Sequence, residues 1–408
     1  MRTLRPGLVP LLLLLFSGFC LAQAPEDPGP FPAGWRDVGF QDQQFGRGWV
    51  TGRVFYPATV AGENVPADPT SGPFPLVAFQ HGWLGSPDSY DLLCQHLASW
   101  GFVVASIGTE TGLFGTMKRE ALDSQALLHW TDGESQNPAS WLAGMCWDGD
   151  WAASGHSMGG GALMYLVGYE PRVRTFVALQ PYSGTSLGGS AEGYQNLRQF
   201  TGRAYYIAGE IDGTVPPDTM VYDYFQNAYV AERNLFYMVE GMGHLGPIDD
   251  PPDNEPLPGP EQHRLHRRLL AGLLRAEMKG EEDLFAVMLG EGVSQEPLVY
   301  QSDCEQPPLW LEVESNGDLQ VGLAGAGDDT LMLAWSLIAD QQQTQYGLLG
   351  LDLSGGAVFL QTPAGKTRVA DASLMVQAGW AGQWLYLQGL AVGPQRGQLS
   401  RTIAYSVP

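Results

Sequence analysis

The chain has 408 residues, 44% of them hydrophobic and 16% charged, and 44 acidic against 21 basic side chains leave a formal net charge of −23. So acidic a surface repels phosphate backbones and anionic bilayers, which excludes nucleic acid and anionic membranes as partners and suits a salty medium. The length calls for two domains or one large one.

Met1 to Ala22 carries Arg2 and Arg5, an apolar run from Leu8 to Phe16, and Cys20 and Ala22 at its end. This is the pattern of a secretory signal peptide cleaved after Ala22, with an apolar core too short for a membrane span. Cleavage after Ala24 would leave Pro25 as the new terminus, and Phe19 is bulky for a lipoprotein reading of Cys20. The mature protein is therefore expected to be secreted, with Arg2 and Arg5 gone and the charge two units lower than the stated −23. Cys94, Cys146 and Cys304 remain, a set that permits one disulfide at most and is equally met by three separate thiols. No later segment is apolar enough to cross a bilayer.

From residue 36 the chain alternates strand and helix signals. Gly48 to Tyr56 reads as a strand stopped by Pro57, and Leu76 to Gln80 as a buried one. The turn His81-Gly82-Trp83-Leu84-Gly85 follows, then a helix from about Asp88 to Trp100, a strand at Phe102 to Ser106 and a helix around Met117 to Trp130. Further strands are expected at Thr175 to Leu179, Ala204 to Ala208 and Leu235 to Val239, with helices at Asp218 to Tyr229 and Glu261 to Met278. Such alternation means a doubly wound, mostly parallel α/β sheet covered on both faces, with ligands bound beyond the carboxyl ends of its strands.

Within that pattern, Asp150 to Gly155 is a short strand and Ala162 to Tyr169 an apolar helix, joined by Gly155-His156-Ser157-Met158-Gly159. In so tight a strand-to-helix turn the two glycines leave room for Ser157 to project its hydroxyl as a nucleophile. The bland alternative is a serine that merely caps the helix. Gly184-Thr185-Ser186-Leu187-Gly188 has the same spacing, but no strand precedes it and no amphipathic helix follows, so it reads as a glycine-rich loop.

A serine hydroxyl needs a base and a group that orients the base, and in sites of this type both follow the serine in the chain. His244, in the turn Gly241-Met242-Gly243-His244 after a strand, is the expected base. His81, His96 and His129 precede the serine, and His263 and His266 read as a solvated helix face. Asp212 opens the turn after Ala204 to Ala208 and is the expected acid, with Glu210 as the alternative and Asp218 as a helix N-terminal residue. An oxyanion needs two backbone donors, for which Met158 N–H and Trp83 N–H are placed. A turn with a locally packed tryptophan is the simpler account of Trp83.

The sequences Tyr56-Pro57, His81-Gly82-Trp83, Leu97 to Val104, Gly155 to Gly160, Pro181-Tyr182, Gly209 to Asp212 with Val215-Pro216, and Gly243-His244 together resemble the bacterial cutinase and polyethylene terephthalate hydrolase branch of the α/β-hydrolases. The branch is related to dienelactone hydrolases, and the resemblance spans roughly residues 36 to 280. It implies Ser157, Asp212 and His244 as the triad, Trp83 and Met158 as oxyanion donors, and Trp83, Tyr182 and His156 beside an ester substrate, with no cofactor and no metal. Two departures stand out: a tryptophan is common in the branch where Tyr182 stands, and the acidic, proline-rich stretch Asp249 to Glu261 is longer than its usual turn. Asp249, Asp250, Asp253 and Glu255 are calcium-type ligands, yet five prolines and no suitably placed glycine favour a solvated loop.

The last hundred residues change character. Leu309 to Glu314, Asn316-Gly317 and Leu319 to Leu323 form a hairpin pattern, and Leu331 to Leu337, Tyr346 to Leu351, Ala357 to Gln361 and Trp384 to Leu390 add strands. The expected organisation is a leader over 1–22, a catalytic domain over 23–290, a linker over 291–308 and an all-β, sandwich-like domain over 309–408. That last part holds no catalytic or metal-type cluster and is expected to bind a surface or polymer, or simply to stabilise. The rival readings are a lipase, phospholipid-type acyl hydrolase or peptidase of the same fold, and a non-catalytic surface-binding protein on a hydrolase scaffold.

Overall fold

The computed structural model describes residues 23–289, 296–302, 307–325, 329–364, 369–393, 397–400 and 402–408. The leader, Cys304 and much of 290–308 lie outside them.

A ten-stranded sheet organises the larger part. Its strands are β1 (Ala33–Asp42), β2 (Gly48–Pro57), β3 (Gly62–Glu63), β4 (Leu76–Gln80), β5 (Val103–Ile107), β6 (Trp151–His156), β7 (Val173–Leu179), β8 (Arg203–Gly209), β9 (Arg233–Val239) and β10 (Leu298–Ser302), in the order β10-β9-β8-β7-β6-β4-β5-β2-β1-β3. Every pairing from β5 across to β9 is parallel, whereas β1–β2, β2–β5 and β9–β10 are antiparallel. The helices are α1 (Asp91–Ser99), α2 (Met117–Gln136), α3 (Met158–Tyr169), α4 (Ala191–Leu197), α5 (Tyr222–Asn227), α6 (Gly259–Lys279) and α7 (Phe285–Met288). Side chains alternate along a strand, so a strand buried on both faces must be apolar at every position. In β4, Leu76 and Ala78 join the core that includes Leu127 of α2 and Leu163 of α3, while Val77 and Phe79 join the core of Leu97 from α1 and Leu269 from α6.

Four features depart from expectation. β1 was not legible, because only part of one face is buried and its residues mix Gly, Arg and Asp. The glycine-rich loop at Gly184 to Gly188 is followed by a helix after all: α4, whose Leu197 is buried and whose Asn196 side chain donates to the Met164 carbonyl at 3.0 Å. His263 and His266 are not solvated, for α6 turns them inward at 5% and 1% exposure and sends Arg264 and Arg268 outward to Glu26 and Glu296. Finally, five residues of the expected linker form β10, which pairs with β9 from Leu298↔Val239 to Ser302↔Leu235.

Beyond β10 come β11 (Leu309–Val313), β12 (Leu319–Ala324), β13 (Thr330–Ser336), β14 (Ala339–Thr344), β15 (Gly347–Leu351), β16 (Gly356–Pro363), β17 (Val369–Leu374), β18 (Trp384–Val392), β19 (Gly397–Leu399) and β20 (Ile403–Ser406). They make antiparallel sheets β11-β12-β17 and β16-β13-β18-β19, with β20 on β18 and β14 on β15. Asn316-Gly317 turns the first hairpin as expected, with Gly317 at φ 87° and the Asn316 side chain accepting from Asp318 N–H at 2.9 Å. Leu319 and Leu323 of β12 share one apolar core with Leu333 of β13 and Leu387 of β18. This part also touches the core of the ten-stranded sheet, since Trp310, Ala324 and Val369 pack in the same cluster as Phe285 and Met288.

Candidate active site

β6 ends at His156, and Ser157 turns the chain into α3 with φ 54° and ψ −115°. A non-glycine residue held there costs roughly 1–3 kcal/mol, which the packing around it must offset. The two flanking glycines are compelled by contact. A Cβ on Gly155 would lie 2.7 Å from the Gly159 carbonyl, and one on Gly159 would lie 2.3 Å from the carbonyl oxygen of Gln80. The turn therefore closes only against bare backbone, which lifts the Ser157 hydroxyl above the sheet.

Three segments from different strand ends converge there. The His244 Nε2 atom lies 2.9 Å from Ser157 Oγ, and its Nδ1 atom lies 2.7 Å from Asp212 Oδ2. Asp212 is 3% exposed, and its other oxygen accepts from Thr214 N–H at 2.9 Å and Val215 N–H at 2.7 Å, so the carboxylate is held by the turn it opens. The carboxylate can only accept from Nδ1, which leaves the Nε2 lone pair free to accept the serine proton. Glu210 points elsewhere and accepts from Gly241 N–H at 2.8 Å. Asp218 sits in the first turn of the helical segment Pro217–Val221.

The loop after β4 supplies the facing wall. Gly85 N–H donates to the Gly82 carbonyl at 2.8 Å, and His81 Nδ1 lies at the same distance from it. A trans peptide sets Trp83 N–H on the side opposite that carbonyl. The first turn of α3 likewise leaves Met158 N–H without an intrahelical acceptor. A cleft of about 550 Å³ opens over these groups, lined by Trp83, Leu113, Tyr182, Ser186 and Leu245 besides Ser157 and His244. Its mouth is apolar and exposed, with Trp83 at 44%, Leu113 at 66% and the neighbouring Phe114 at 86%.

Tyr182 lies in this wall, and its hydroxyl is 2.5 Å from Ser186 Oγ. Ser186 thus meets the cleft through Tyr182, on the short turn Thr185–Leu187, and not through the imidazole. His156 sits at the back of the cleft with both ring nitrogens engaged, by Tyr90 Oη and by the His244 carbonyl, each at 2.8 Å. Burial, helped by the nearby His244, holds its pKa well below the ordinary value. The His244 turn is braced from outside as well. Glu255 accepts from Gly243 N–H at 2.6 Å and from Gln262 at 2.9 Å, and the Gln180 amide donates to the Gly243 carbonyl. Sequence reasoning missed Tyr90 and Glu255. A tyrosine at the start of a helix and one carboxylate in an acidic stretch carry no spacing signal.

The acidic stretch is largely exposed, as expected of a solvated loop, yet it is anchored at two further carboxylates. Asp249 accepts from Leu92 N–H at 3.0 Å, and Asp253 from Gly259 N–H at 3.2 Å. Cys94 and Cys146 are free thiols, and burial pushes the Cys146 pKa up to about 12.

Comparison with known proteins gives a consistent result. Residues 29–244 match the PET hydrolase-like family. Cutinase 1 of Thermobifida cellulosilytica is 24% identical over 219 residues, 54% of this chain and 73% of that protein. A cutinase of Thermobifida fusca is 24% identical over 219 residues, covering 64% of its length, and cutinase est2 of Thermobifida alba is 27% identical over 206 residues, covering 59%. The family match ends at His244, so α6, β10 and the C-terminal sheets lie beyond it.

Proposed function

The chain belongs to the PET hydrolase-like family and is a carboxylic ester hydrolase, and we propose that it acts through an acyl-enzyme on Ser157. The observation that carries this reading is the unbroken path Ser157 Oγ, His244, Asp212 at the floor of an open cleft. Ser157 Oγ attacks the ester carbonyl as its proton passes to His244 Nε2, and Asp212 stabilises the imidazolium that forms. The carbonyl oxygen becomes an oxyanion, which Met158 N–H and Trp83 N–H receive. Collapse expels the alcohol, protonated by His244, and a water activated by the same nitrogen then releases the acid.

The substrates proposed are short-chain and aromatic esters, with polyesters cut more slowly. An aromatic wall at Trp83 and Tyr182 and an apolar, uncovered mouth suit an extended ester that need not be enclosed. Strong negative charge disfavours anionic lipid surfaces. Turnover of soluble esters of graded chain length, measured beside an insoluble polyester film, tests this. A sharp rate jump as a long-chain ester passes its solubility limit, or a preference for anionic phospholipid, would favour the lipase reading instead. Tyr182→Ala should lower kcat/KM for aromatic esters about tenfold and for acetate esters less than threefold, the difference expected for one lost aromatic contact. Equal losses on both would remove Tyr182 from the substrate wall.

The same reading takes the protein to be secreted, on the strength of the basic, apolar and small-residue order of residues 1–22. No helix among the described residues is long and apolar enough to cross a membrane. It further takes the C-terminal sheets as a β-sandwich domain that attaches the enzyme to a surface or polymer. A chain ending after Ser302 keeps β10 and should turn over soluble esters within about threefold of the full protein while losing rate on film, with a lower thermal midpoint because Trp310, Ala324 and Val369 leave the core around Phe285 and Met288. Loss of soluble turnover would make the C-terminal sheets part of the catalytic core.

A further inference from the structure

A buried hydrogen-bond path joins the loop after β4 to the main chain of His244, and its end groups dictate every proton in it. Gly82 N–H can only donate, and it lies 3.0 Å from Tyr90 Oη. The His244 carbonyl can only accept, and His156 Nε2 lies 2.8 Å from it, so that nitrogen carries the ring proton. His156 Nδ1 is therefore the acceptor, and the Tyr90 hydroxyl, 2.8 Å away, gives it its single proton. Tyr90 and His156 are each 2% exposed, so water does not compete for these bonds.

We propose that Tyr90 and His156 are positioning residues of the hydrolysis, holding the Gly82-Trp83 oxyanion loop and the His244 turn at one fixed separation across Ser157. This rests on the triad and oxyanion reading above. No strand pairing joins the two loops directly, because β4 and β9, which carry them, have β6, β7 and β8 between them. Glu255 and Gln180 brace the His244 turn only at Gly243, and neither reaches the oxyanion loop. The path also has its space reserved: a Cβ on Gly82 would come within 3.1 Å of Tyr90 Oη and 3.2 Å of His156 Nδ1. Phe79 packs against the Tyr90 ring at 5.0 Å and the His244 ring lies 4.8 Å from that of His156, so both members are held from the side as well. Burial keeps the His156 pKa far below and the Tyr90 pKa far above their ordinary values, which preserves this proton pattern at working pH.

Tyr90→Phe removes both of the tyrosine's bonds at constant shape. It should lower kcat on a soluble acetate ester by about 10- to 100-fold, the cost of a misplacement of an ångström or less, with KM within twofold. His156→Gln places an amide N–H near the lost Nε2–H and should recover part of the rate, whereas the shorter amide of His156→Asn cannot reach the His244 carbonyl and should not. Thermal midpoints measured beside the kinetics separate positioning from general damage, which would make kcat follow stability and the Gln and Asn variants equal. Wild-type kcat in Tyr90→Phe, or equal or better activity in His156→Asn than in His156→Gln, overturns the proposal. If the His156 variants fail to fold, Tyr90→Phe decides alone; if that variant is itself unfolded, the two residues are structural and the proposal falls. Ser157→Ala run in parallel keeps the two ideas apart. Its retention of activity would sink the triad, while a dead Ser157→Ala beside a wild-type Tyr90→Phe would sink the positioning path only.

Discussion

Ser157→Ala is expected to lower ester turnover by about 10⁴- to 10⁶-fold without unfolding the protein, and His244→Ala by about as much, because members of such a set act as a unit. Alanine keeps the packing at the elbow and removes only the oxygen 2.9 Å from His244 Nε2. Asp212→Asn should cost about 10⁴-fold, since an amide nitrogen facing Nδ1 would favour the wrong tautomer. Ser186→Ala is the informative contrast. It has the same flanking glycine spacing, yet its hydroxyl contacts Tyr182, so soluble acetate turnover should stay within about threefold of wild type. kcat on a soluble ester and a thermal midpoint for each variant check all four. An inactive, folded Ser186→Ala beside an active Ser157→Ala would place the chemistry at the wrong serine.

The second large effect is on stability in mild acid. Burial lowers the pKa of His96 and His263 to about 4 and of His266 to about 3. The unfolded chain titrates these side chains near 6.5, so below that value it binds protons that the folded chain refuses. The stability they confer is full above about pH 6.5 and is lost as pH falls toward the folded values. At pH 5 each removes about 2 kcal/mol relative to pH 8. Asp249, raised by burial to about 6, acts in the opposite sense and returns about 1 kcal/mol. These four groups together should lower the thermal midpoint between pH 8 and pH 5 by on the order of ten degrees, with buried His81 and His156 shifted in the same sense and buried Glu120 in the opposite one. The cause is local: His263 and His266 each bury an Nε2 atom that has no hydrogen-bond partner among the described residues, so a proton there gains no acceptor from them. His266→Asn keeps a donor for the Gln262 carbonyl, which His266 Nδ1 meets at 2.8 Å, and removes the titrating group. Its midpoint should fall less between the two pH values, and an unchanged difference would show that His266 does not contribute.

What could be read from the sequence was whatever depends on local crowding. The elbow at Ser157 announces itself because two close backbone approaches demand glycine on either side, and β4 because burial on both faces demands an unbroken apolar run. Asp212 and His244 were legible for a similar reason, each in a polar turn at the mouth of an apolar strand. What was not legible depends on partners distant in the chain. Tyr90 and His156 are 66 positions apart, and Glu255 meets Gly243 through a fold of the acidic stretch that its composition does not suggest. The α6 histidines were misread because His, Arg, His, Arg, Arg over residues 263–268 has the composition of a wetted face. The helix instead divides them, histidines inward and Arg264 and Arg268 to the carboxylates.

β10 has a bearing on the order in which the protein can be assembled. A chain emerging from the ribosome presents β1 to β9 first, and the outer side of β9 keeps its unpaired amides and carbonyls until residue 302 has appeared. The ion pairs that lock this end are equally late. Arg264 and Arg268 join Glu26 near the start to Glu296 just before β10, so one of these pairs closes a loop of 242 residues. Contacts of such long range form after local ones, because the entropy of closing the loop must be met first. As long as β10 is unpaired, one flank of the sheet is an open template for another chain. Until that strand is in place, the outer side of β9 is the flank most open to pairing with another copy.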